Sequence, residues 1–199
     1  RALDNGMTPT LCLEQAQMLR ENGVTVPFVL MGYYNPIFQM GAAAFAERAA
    51  QAGIDGVIIP DLPPEESDAL RAALTERGID LIFLLPPTLD PTRMQLVAER
   101  TSGFLYLVSL SGVTGARKRL PPNLTAFVRR VRAVTDQPLA VGFGIGTPEQ
   151  AARVGQIADG VIVGSALIRA VGESADPPTA ARAFVRSLRT SLDNGNGRA

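Results

Sequence analysis

Two short apolar runs late in the chain meet glycine and turn toward a helix. One is Pro138-Leu-Ala-Val-Gly-Phe-Gly-Ile-Gly146, followed by Thr147-Pro-Glu-Gln; the other is Gly160-Val-Ile-Val-Gly-Ser-Ala-Leu167. Glycine lets bare backbone N–H groups approach a ligand, and a helix N-terminus adds partial positive charge. The chemistry this suits is the grip of an anion. Two such ends in succession, closing a βα repeat, are where (β/α)8 barrels commonly hold a phosphate. A small phosphate ester is the expected ligand, with Gly142, Gly144, Gly146, Gly164 and Ser165 as expected contacts. Close helix–strand packing is the plainer reading of the same glycines.

Tyr106-Leu-Val-Ser-Leu-Ser-Gly-Val-Thr-Gly-Ala-Arg-Lys-Arg119 is the most suggestive loop. It offers hydroxyls at Ser109, Ser111 and Thr114, free backbone donors at Gly112 and Gly115, and a basic cluster at Arg117, Lys118 and Arg119. A lid that closes over an anionic ligand has this composition. Tyr106 lies inside the preceding strand, and alternation leaves open which face it takes. Asp61, in Ile59-Pro-Asp-Leu-Pro-Pro64, sits where a general acid or base would, but the prolines around it favour a turn aspartate. Tyr33, Tyr34 and Asn35, ahead of Pro36, read equally well as a packed loop or as a pocket wall or protein contact. Leu85-Pro-Pro-Thr-Leu-Asp90 reads as a rigid turn.

The absences narrow the chemistry. The chain has no histidine, which removes Ser-His-Asp and Cys-His arrangements and His-based metal sites. No metal site is expected. Cys12 is the single cysteine; it lies in an amphipathic stretch and is expected to be a buried, inert thiol. Net charge is zero across 199 residues, so nothing in bulk electrostatics favours nucleic acid or anionic membrane. No apolar run is long enough to span a bilayer and no signal peptide is visible, so a cytoplasmic protein is expected.

These groups need elements to hold them. Six continuous apolar runs, at 26–31, 56–60, 81–85, 104–109, 139–143 and 161–164, read as parallel strands buried on both faces. Helices are expected between them over 8–22, 41–52, 65–77, 90–100, 124–134 and 147–157, and a last one over 179–192. Thr147 and Gln150 form a capping box. The alternation implies right-handed βα crossovers. The expected fold is an α/β (β/α)8 TIM barrel of which this chain carries the last six βα units. Residues 1–192 would form one partial-barrel domain, and 193–199 a fraying tail. Because the last units here already carry the glycine-marked phosphate ends, the two missing units are expected to precede Arg1.

Taken together, Met31-Gly-Tyr-Tyr-Asn-Pro36, Pro60-Asp-Leu-Pro-Pro-Glu-Glu-Ser67, Pro86-Pro87, the stretch from Tyr106 to Arg117 with its Ser-Gly-Val-Thr-Gly-Ala core, Gly142-Phe-Gly-Ile145 and Gly164-Ser165 resemble the α subunit of tryptophan synthase. The resemblance runs from Arg1 to about Val171. It implies a barrel that cleaves indole-3-glycerol phosphate to indole and glyceraldehyde 3-phosphate. It also implies an α2β2 assembly in which indole passes to a β subunit. Pyridoxal phosphate is expected only on that β subunit, and no cofactor on this chain. By the same resemblance the phosphate maps onto Gly115, Phe143, Gly144, Gly164 and Ser165. Thr114 matches a lid threonine and Tyr106 a tyrosine near the substrate. Asn35, Pro36 and Asp61 match surfaces that face the β subunit.

The family uses a glutamate and an aspartate for the acid–base work of this retro-aldol cleavage. Those carboxylates lie on the first two strand–loop units, and Asp61 matches neither. The chain as given is therefore expected to be inactive alone and, with open strand edges, prone to aggregate. Two other readings stand beside the lyase. One is a non-catalytic partner that only binds a phosphate ligand and a β subunit; the other is a different phosphate-binding barrel enzyme.

Overall fold

Thr8 opens the first helix, its hydroxyl accepting the Leu11 N–H at 3.1 Å with Pro9 in the first turn. That is local chemistry readable from four residues. The structure is a computed structural model, describing residues 4–108, 120–142 and 144–195. It divides into two compact units.

The first unit runs to Phe83 and includes Glu99–Gly103. Its elements are α1 (Pro9–Glu21), β1 (Val29–Met31), α2 (Tyr34–Met40), α3 (Ala42–Gln51), β2 (Gly56–Ile58), a 3-10 turn over Pro64–Glu66, α4 (Asp68–Thr75) and β3 (Asp80–Ile82). The strands are parallel in the order β1-β2-β3, with Val57 opposite both Leu30 and Leu81. β2 is buried throughout, covered by helices whose inner faces carry Phe45, Ala49, Leu70 and Leu74. Such burial on both faces is why its sequence is continuously apolar.

The second unit holds β4 (Leu84–Leu85), most of α5 (Pro91–Arg100), β5 (Leu105–Val108), α6 (Leu124–Arg132), β6 (Leu139–Gly142), α7 (Pro148–Gly155), β7 (Gly160–Val161), α8 (Ser165–Gly172) and α9 (Pro177–Gly195). Its sheet is parallel in the order β4-β5-β6-β7. Leu105, Leu107, Leu139 and Val141 form one fully buried face, and α9 packs on α7 and α8.

The strand–helix alternation matches expectation, with four differences. The strand expected over 81–85 is divided, because buried Phe83 belongs to neither ladder. The loop read around Pro36 is helix α2; Pro36 lies in its first turn, where a missing N–H costs no intrahelical bond. The helix expected from Glu65 begins at Asp68, because Pro63 and Pro64 set a 3-10 turn closed by the Ser67 hydroxyl donating to Pro64 O at 2.6 Å. The last helix continues past Leu192 to Gly195 and takes in Asp193, whose carboxylate accepts from Arg189 Nε at 3.1 Å. The tail expected to fray therefore has its first three residues in helix.

Candidate substrate-binding site

The carboxyl ends of β5, β6 and β7 lie side by side. Tyr106 is opposite Ala140, Val108 opposite Gly142, and Val141 opposite Val161. Leu105 and Leu107 take the buried face of β5, so Tyr106 takes the other, above small residues of β6. Its ring leans along the strand from Ala140 to Gly142. A Cβ on Gly142 would fall 2.6 Å from Tyr106 Cζ. Tyr106 is 6% exposed, and burial pushes its phenol up to about 12. A phenol raised that far is protonated at neutral pH.

The two glycine-marked ends behave differently. At α7 the capping box is complete: Gln150 N–H reaches Thr147 Oγ1 at 3.3 Å, and Gln150 Oε1 accepts from Gly146 N–H at 2.8 Å and Thr147 N–H at 3.3 Å. Those donors are used within the chain. At α8 the cap residue is exposed Gly164, and no side chain caps the helix. Its first N–H groups, from Gly164 and Ser165 onward, have no intrahelical partner. A Cβ at Gly164 would meet nothing within 4 Å. Gly144, at φ 81°, makes the turn after β6 in a conformation that favours glycine. Two of the glycines expected at the phosphate also have partners within the chain. Gly142 gives room to Tyr106, and the Gly146 N–H is taken by Gln150. Gly164 and Ser165 stand at an open helix start, and Gly144 at the turn that leaves β6. Thr114, Gly115 and Phe143 lie outside the described residues, as does the loop from Ser109 to Arg119.

In the first unit, the Asp61 carboxylate accepts the Tyr34 N–H at 2.9 Å. It caps α2 from the loop after β2, so its partner is a helix 27 residues upstream and not the local turn backbone expected from its prolines. The bond ties Asn35, Pro36 and Asp61, all exposed, into one surface, with Tyr33 at 72% and Phe38 at 68% exposure beside them. Cys12 is half-buried, not buried as expected. The buried side of α1 centres on Leu13, and Cys12 borders an apolar groove of about 470 Å³ with Met7, Leu19, Phe28 and Leu30. No group of three metal-ligating side chains occurs among the described residues.

The sequence profile described as "Tryptophan synthase alpha chain" matches residues 1–194. The chain belongs to the tryptophan synthase alpha chain family. It is 51% identical over 194 residues to the tryptophan synthase alpha chain of Dehalococcoides mccartyi, covering 97% of this chain and 75% of that one. It is 54% identical over 169 residues to that of a Geobacter species, covering 85% and 63%. Among solved structures it resembles tryptophan synthase subunit alpha from Legionella pneumophila, with TM-score 0.88 and 40% identity over 98% of this chain and 73% of that one. It also resembles a chain of the tryptophan synthase α2β2 complex of Pyrococcus furiosus, with TM-score 0.86 and 34% identity over 96% and 77%. This likeness carries the TIM-barrel class expected from the sequence. The chain spans 63% of the Geobacter alpha chain's length and 75% of the Dehalococcoides one.

Within this chain the sequence left two features unread. One is that Gln150, beyond its capping-box bond, also accepts the Gly146 N–H. The other is a pair of arginine–aspartate clamps at the opposite ends of the strands, which a repeated Asp-Gly-Val-Ile string at 55–58 and 159–162 could have signalled.

Proposed function

We propose that this chain binds indole-3-glycerol phosphate and serves, as the α subunit of an α2β2 tryptophan synthase in the cytoplasm, in its cleavage to indole and glyceraldehyde 3-phosphate. The observation that carries the substrate reading is the uncapped N-terminus of α8 at Gly164 and Ser165, beside a β6 end whose neighbour α7 has closed its own. A phosphate dianion satisfies orphan N–H groups and the helix dipole together. Gly144, Phe143, Gly115 and Thr114 complete the grip in this reading.

The cleavage breaks a carbon–carbon bond. A proton goes to C3 of the indole ring, and one leaves a glycerol hydroxyl. Tyr106, a phenol whose pKa burial raises further above neutrality, positions substrate and does not take that proton. Asp61 accepts the Tyr34 N–H and is not proposed for the acid–base work. No residue of these 199 is proposed for that pair. No cofactor is needed on this chain; pyridoxal phosphate belongs to the β subunit, which meets the surface of Asn35, Pro36 and Asp61.

Calorimetric titration with glyceraldehyde 3-phosphate tests the grip. Gly164→Ala fills empty space in the protein, so its only opponent is the ligand. It should leave the melting temperature in place and weaken binding about tenfold, or about 1.4 kcal/mol. Equal affinity in both chains would remove α8 from the site. Co-elution with a tryptophan synthase β subunit, weakened by Asn35→Arg, tests the partner surface.

A further inference from the structure

The two units carry the same clamp. In the first, Arg20 of α1 donates through Nη1 to Val26 O at 2.7 Å and through Nη2 to Asp55 Oδ2 at 2.5 Å. The same Oδ2 accepts the Phe28 N–H at 2.6 Å, and the Asp55 N–H returns to Phe28 O at 2.9 Å. In the second, Arg132 of α6 donates through Nη1 to Gln137 O at 2.9 Å and through Nη2 to Asp159 Oδ2. That Oδ2 accepts the Leu139 N–H at 2.8 Å, and the Asp159 N–H returns to Leu139 O at 3.0 Å. In both, the carbonyl taken by the arginine precedes a proline, Pro27 or Pro138, and the aspartate precedes the glycine that starts the next strand. One carboxylate thus fixes the foot of one strand against the foot of the next.

What the clamps hold differs. β2 pairs over three residues with β1 and over three with β3. β7 has two ladder residues, and among the described residues it pairs with β6 alone. Among the described residues, the backbone bonds that flank this ladder are the Ile162 N–H to Val141 O, at 2.8 Å, and the clamp's own Asp159 N–H to Leu139 O. A strand so short has little register of its own. Gly164 follows five residues after Asp159, so wherever the clamp sets the foot of β7, it sets the N-terminus of α8.

We propose that Arg132 and Asp159 are positioning residues for the anion grip at Gly164 and Ser165. The inference rests on the reading of that helix end as a phosphate site. The Arg20–Asp55 clamp provides the control, because it has the same chemistry and β2 runs from it to Pro60 and Asp61 instead of to a glycine-marked helix end.

The test is titration of the whole chain with inorganic phosphate, followed by the amide NMR shifts of residues 160–166, with melting temperatures measured alongside. Asp159→Asn should weaken phosphate on the order of tenfold, as a misplaced donor set does. Asp55→Asn should cost comparable melting temperature and change phosphate affinity less than about twofold. Equal effects of the two on phosphate, or none from either, would overturn the positioning role and leave the site itself standing. No phosphate response in the unaltered chain would remove the site and this inference together. Arg132→Lys keeps the charge and loses the two-pronged reach. Should Asp159→Asn not fold, Arg132→Lys must still weaken phosphate relative to Arg20→Lys, and the inference falls if it does not.

Discussion

The ring of Tyr106 fills the space that a side chain on Gly142 would need. A Cβ there would lie 2.6 Å from Cζ and closer still to the ring edge. Gly142→Ala therefore overpacks the β5–β6 face, costing about 1–3 kcal/mol and weakening ligand binding as the ring is displaced. Tyr106→Ala removes the obstacle, so the double variant should lose less than the two single losses combined. Urea melts of the four chains close the cycle, and strictly additive losses would show that ring and glycine do not compete.

Tyr106 also sets an alkaline limit. Its phenol is raised to about 12 by burial, against about 10 for an unfolded tyrosine. Folding favours the neutral form, so this contribution is whole below about pH 10 and is lost as pH climbs toward about 12. Tyrosinate absorbance should show a step near pH 12 that Tyr106→Phe abolishes. A Tyr106 step near pH 10 would contradict the burial.

Thr147 caps α7 through the Gln150 N–H. Thr147→Ala should cost about 0.5–2 kcal/mol in chemical denaturation. Because the α7 donors are satisfied within the chain, phosphate affinity should stay within about twofold of the unaltered protein. A large loss of affinity would return α7 to the site.

β1 pairs on one side only among the described residues, and it exposes Val29 at 40% and Met31 at 52%. Such an edge is a template for association. Met31→Lys should lower light scattering at high protein concentration while changing stability by no more than about 0.5 kcal/mol. Unchanged scattering would place the association elsewhere.

Much of the fold was legible because its signals are local. Apolar runs marked the strands, and Thr8, Asp90 and the Thr147–Gln150 pair marked helix starts within one turn of sequence. Helix α2 was hidden because Pro36 reads as a stop unless it falls in a first turn. The Phe83 break was hidden because an apolar residue looks the same inside a ladder and between two.

The sequence by itself determined the order of elements, their caps and the family, and it marked the two glycine-bearing strand ends, since each of these signals is written in short stretches of chain. Tertiary structure alone decided which of those ends stays open, which face Tyr106 takes, and that Asp61 caps a helix 27 residues upstream. The reason is geometric. A cap closes within one turn, but the direction of a side chain across a sheet and the partner of a carboxylate depend on strand register. Register pairs Tyr106 with Ala140, and Asp159 with the foot of β6, across stretches of chain that no local pattern spans.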